Sequence, residues 1–154
     1  MQPAKSLTAL TLALALSLGT VPAFAQSHSH DAAAEFALVL NNGAKWQGDQ
    51  NMIDGMSAIR ATMAANLDAI HHGTLSPDAA KTVAADVQAQ LDFMIENCVL
   101  EPEVDEQFHV VLGEVMTGVG ALEEGEVETG AHSIVLALNA YGEHFEHPEW
   151  QPLE

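Results

Sequence analysis

Sulfur and imidazole recur along this chain in patterns that suit a transition metal. His28 and His30 stand in Gln26-Ser27-His28-Ser29-His30-Asp31. If Gln26 were the amino terminus, its amine, two backbone nitrogens and the imidazole of His28 would wrap a square-planar Cu(II) or Ni(II). Farther on, Met52, Met56, Met94, Cys98, His109, His144 and His147 offer thioether, thiol and imidazole donors, a set that suits Cu(I), zinc or haem iron. Each also has a plain structural role: core methionine as filler, buried cysteine as a small hydrophobe, helix-end histidine as a partner for carbonyls. His71-His72 and His132 fit that plainer role. Convergence of the donors in space is therefore what a metal site requires.

The arm's chemistry depends on how the chain starts. Lys5 precedes an apolar run, Leu7 to Leu18, and Ala23-Phe24-Ala25 forms an A-x-A-like cleavage site. This predicts a signal peptide over 1–25 and export to the periplasm, with Gln26 exposed by cleavage. Cyclisation of Gln26 would remove its amine as a donor. The expected mature chain keeps Lys45, Arg60 and Lys81 against 22 acidic residues, a formal charge of −19. Such a surface repels nucleic acid and anionic lipid, so neither is an expected partner. No later stretch has the length of apolar sequence that a membrane-spanning helix needs, so insertion of the mature chain is not expected. Cys98 is the single cysteine. An intrachain disulfide is impossible, whereas a homodimer through Cys98 or through a bundle face is open.

The elements that must position these donors are helical. Met52, Met56, Ile59, Met63, Leu67 and Ile70 step by three or four and form one seam. Gly73 stops that segment, and Ser76-Pro77 opens the next as N-cap and first-turn proline. The second seam is Ala80, Val83, Val87, Leu91, Met94 and Cys98. The third runs Val104, Phe108, Val111, Val115, Val119 and Leu122 behind Pro102 and an acidic first turn. Gly113, Gly118 and Gly120 weaken its second half, which packing must hold. The fourth is Ala131, Ile134, Leu138, Tyr141 and Phe145, ended by Pro148. Short links predict an all-α, antiparallel up-down-up-down four-helix bundle. The expected division is signal peptide 1–25, arm and capping segment 26–48, and bundle 49–154. Asp31 to Leu40 reads either as a short helix, which Ala32-Ala33-Ala34 favours, or as an extended segment with Phe36, Leu38 and Leu40 on one side. Asn41-Asn42-Gly43 is an expected turn, and Trp46 closes over the start of the first helix.

Antiparallel topology gathers Met52, Met56, Met94, Cys98, His109, His144 and His147 at one end, the base. The Leu138-Asn139-Ala140-Tyr141-Gly142 stretch and Met52 resemble the periplasmic b-type four-helix cytochromes at the level of fold. That resemblance implies haem b between Met52 and a helix-four histidine. Gly142 occupies the position of the family's histidine, leaving His144 as the candidate, about 200° away around the helix. A second resemblance covers nearly the whole mature chain. Leu40-Asn41-Asn42-Gly43-Ala44-Lys45-Trp46, Gly55-Met56, Ile59-Arg60, Asn97-Cys98, Pro102, His147-Pro148 and Trp150 look like an exported family known as DnrO-like. It implies export and a helical fold.

Glu106-x-x-His109 has the spacing of a di-iron bundle, but the first helix has no glutamate and the fourth no Glu-x-x-His. An enzyme is therefore not expected. The leading expectation is a periplasmic, non-enzymatic bundle that binds a transition metal, with copper ion as the cofactor. The alternatives are a haem-binding electron carrier and a ligand-free interaction or stress protein.

Overall fold

The computed structural model describes residues 37–154. The expected signal peptide, His28, His30 and Phe36 lie outside the described residues. Four helices make up the body: α1 (Gln50–His71), α2 (Pro77–Asn97), α3 (Pro102–Glu124) and α4 (Val127–His144). Each packs on its neighbours in sequence, and α1 packs on α4 to close the ring, as an antiparallel up-down-up-down bundle requires.

Local chemistry sets the helix ends. Asp49 caps α1 by accepting from Met52 N at 2.8 Å, and Gly73 beyond its end takes φ +62°. Ser76 caps α2 through Ala79 N, with Pro77 in the first turn. Gly125 ends α3 in the left-handed conformation, φ +87°. Helix α4 stops at His144, before Pro148 can act on it. Trp46 N donates to His144 O and Glu146 N donates to Trp46 O, so a short parallel pairing draws the chain out of the helix. Asn41 and Ala44 pair across the expected turn, with Asn42 and Gly43 at positive φ. Leu38 faces the core while Val39 and Leu40 are exposed.

The core follows the seams with one graded departure. Met52, Met56, Ile59 and Met63 are fully buried on α1, yet Leu67 and Ile70 farther along are only half-buried. All six seam residues of α3 are buried. Gly118 and Gly130 let α3 and α4 approach closely: a Cβ at Gly118 would lie 2.6 Å from Gly130 O. This contact offsets the low helix propensity expected there.

The chain after α4 turns back along the groove between α1 and α4. Arg60 on α1 donates to Gln151 O, and Asn139 on α4 exchanges two hydrogen bonds with the backbone of Leu153. This tail fills the base half of that groove.

Candidate metal centre at the base

Asp49 organises the link between α2 and α3 from the start of α1. Beyond its capping bond, Asp49 Oδ2 accepts from Val99 N at 2.7 Å. Asn51 Nδ2 donates to Asn97 O at 2.8 Å. Cys98, the residue that caps α2, donates its own backbone N–H to Met94 O. Burial alone would raise the carboxyl pKa of Asp49, but hydrogen bonds from Val99, Met52, Cys98 and Asn51 together hold it below the usual value. The thiol of Cys98 moves the other way. Burial first, then the carboxylates of Asp49 and Asp105, push it up to about 12.

Between the end of α2 and the start of α3 lies a niche of about 80 Å³. Met94, Cys98 and His109 line it, with Asp105 and Phe108 beside them. Met94 is buried and occupies the space opposite Gly55, where a Cβ would collide with its sulfur. His109 Nδ1 lies 2.8 Å from Asp105 O. A carbonyl oxygen only accepts, so Nδ1 carries a proton, and the tautomer this selects has its lone pair on Nε2. That arrangement is the usual preparation of an imidazole for a metal. Among the described residues, no group of three or more His, Cys, Asp or Glu is placed to hold a metal ion. A site in this niche therefore depends on the thioether of Met94.

The other expected base residues are placed differently. Met52 and Met56 are fully buried and line no part of the niche. Met52 packs its methyl end where a side chain at Gly48 would otherwise sit. His144 is buried and its Nδ1 donates to Ala140 O at 2.8 Å. His147 lies beyond α4 with both ring nitrogens engaged: Nε2 is 3.0 Å from Ser57 Oγ and Nδ1 is 3.0 Å from Tyr141 Oη. Burial, then the nearby Arg60 guanidinium, depress the pKa of His147, with Asp54 opposing them. The Tyr141 hydroxyl is raised by burial and by Cys98. Ser57 and Tyr141 carry no signal in the sequence that marks them as partners of His147. Their pairing exists only because the tail folds back.

Haem does not fit this packing. Tyr141 and Phe145 stack at 5.2 Å and 14°, Phe108 meets Phe145 edge-on, and Trp150 meets Tyr141 edge-on at 4.9 Å. Trp150 also presses its buried, unpartnered Nε1 onto Gly142, the position where the cytochrome resemblance requires a histidine. The space between α1 and α4 at the base is occupied by these side chains. No family model, curated protein or solved structure matches this chain.

Proposed function

We propose that this chain is an exported, non-enzymatic helical bundle that binds copper, with Met94, Cys98 and His109 holding Cu(I). The observation that carries the reading is the niche itself, where a thioether, a thiol and an imidazole from two helices line one small cavity. Thiolate and thioether sulfur favour Cu(I), and a histidine nitrogen completes a three-donor set. Asp49 and Asp105 disfavour a free thiolate, but the same carboxylates attract a cation. Binding exchanges the Cys98 proton for the metal, so the added charge is compensated where it falls. Affinity then rises with pH, because a proton leaves as the metal enters. His28 and His30, on the expected mature arm, would capture Cu(II) separately.

Elemental analysis of the untagged, periplasm-expressed protein tests the reading. About one copper per chain is expected from the niche once the arm is removed. Metal-free protein after growth with copper, and no uptake of Cu(I) by the purified apo form, would overturn it. Mass spectrometry of the mature terminus tests the separate claim for the arm, because only an uncyclised Gln26 retains the amine donor.

A further inference from the structure

At the end of the bundle opposite the base, the groove between α1 and α4 stays open among the described residues. The tail closes its base half with Trp150 and Leu153, and Glu154 reaches the edge of the open half. Beyond that edge is a cavity of about 540 Å³. Leu67 and Ile70 form one wall from α1, and Val127, Ala131 and Val135 form the other from α4. The spacing of Val127, Ala131 and Val135 puts them on one helical face. Leu75, in the link after α1, also lines it. This cavity explains why the α1 seam is fully buried through Met63 but only half-buried at Leu67 and Ile70. Its volume is that of a small-molecule site, commonly about 300–1,000 Å³.

The polar groups at this cavity have one dominant sign. Glu128 and Glu154 line it together with His71 and His132, while among the described residues no lysine or arginine does. Lys45 and Arg60 are engaged at the base, on Gly142 O and Gln151 O. The chain as a whole carries a formal charge of −18. An apolar anion entering here would meet carboxylates and a repulsive field; an apolar cation would meet the opposite. A neutral imidazole adds an acceptor for an ammonium N–H.

We infer that the α1–α4 cavity is a binding site for an amphiphilic organic cation, an amine with an apolar body. The body lies among Leu67, Ile70, Val127 and Val135, and the ammonium lies towards Glu128 and Glu154. This site is separate from the copper niche and does not rest on it.

Three probes with the same ten-carbon chain test the assignment: decylammonium, decyl sulfate and decanol, each titrated calorimetrically below its micelle concentration. Decylammonium is expected to saturate at one per chain and to bind on the order of tenfold tighter than the other two. Glu128→Gln should weaken decylammonium about threefold and leave decanol unchanged. Val135→Trp should block binding by filling the cavity. Leu75→Trp, in the link and outside helix packing, repeats the block if Val135→Trp loses helicity by circular dichroism. Cys98→Ala should not alter decylammonium binding. Equal binding of all three probes, absence of saturable binding, or undiminished affinity in a folded tryptophan variant would overturn the proposal.

Discussion

On the α1–α4 side of the base, His147 has both nitrogens taken, by Ser57 and Tyr141, and Trp150 is wedged onto Gly142. On the α2–α3 side, His109 has only Nδ1 engaged among the described residues, and Met94 and Cys98 line the same small cavity. Both sides hold imidazole, yet their donors differ in availability. A side chain becomes a ligand when its partners leave a lone pair facing a space that an ion can enter. The tail supplies competing partners on one side, and among the described residues nothing equivalent covers the other.

The largest expected effect concerns the Cys98 thiol. With its pKa at about 12 against an ordinary 9.0, about a thousandfold less thiolate is present at pH 8. The greater nucleophilicity of a more basic thiolate recovers part of this, leaving alkylation by iodoacetamide on the order of 50-fold slower than in a free-cysteine peptide. Asp49→Asn should speed alkylation. A rate equal to the peptide's would break the contrast, because the niche thiol would then be an ordinary exposed one.

Gly142→Ala is expected to disturb only the other side. The added methyl collides with Trp150, and overpacking of this kind costs about 1–3 kcal/mol in urea denaturation. Alkylation of Cys98 should remain as slow as before. Tyr141→Phe removes the hydroxyl that meets His147 and should cost about 1 kcal/mol by the same assay.

The smallest effect is one of pH. The folded state holds the pKa of His147 below its unfolded value. The unfolded chain therefore binds more protons below about pH 6.5, so this contribution is complete above that pH and declines as pH falls through the folded value. His147→Gln should flatten the fall in melting temperature between pH 7 and 5. An unchanged slope would show that His147 is not held neutral by its surroundings.

The helices were legible because burial on one face leaves a period. Met52, Met56, Ile59 and Met63 announce α1, and Gly73 and Ser76-Pro77 mark ends by mechanisms local to a few residues. The gathering of Met94, Cys98 and His109 followed from antiparallel topology once the helices were known. The fate of His147 did not, because its partners Ser57 and Tyr141 come from separate elements joined by a non-periodic tail. Leu67 and Ile70 show the converse: they keep the helical period of a core seam but face a cavity. Periodicity identifies the apolar face; it does not say what covers it.

The most direct test is a Cu(I) competition titration against a chromogenic chelator, using protein from Glu35 onward so that His28 and His30 are absent. Four variants are compared: Met94→Leu, Cys98→Ala, His109→Ala and His147→Gln. The account predicts one Cu(I) per chain, at least a tenfold loss of affinity in each of the first three, and none in His147→Gln. Unchanged affinity in Cys98→Ala and His109→Ala, or no Cu(I) bound by the parent chain, would contradict it.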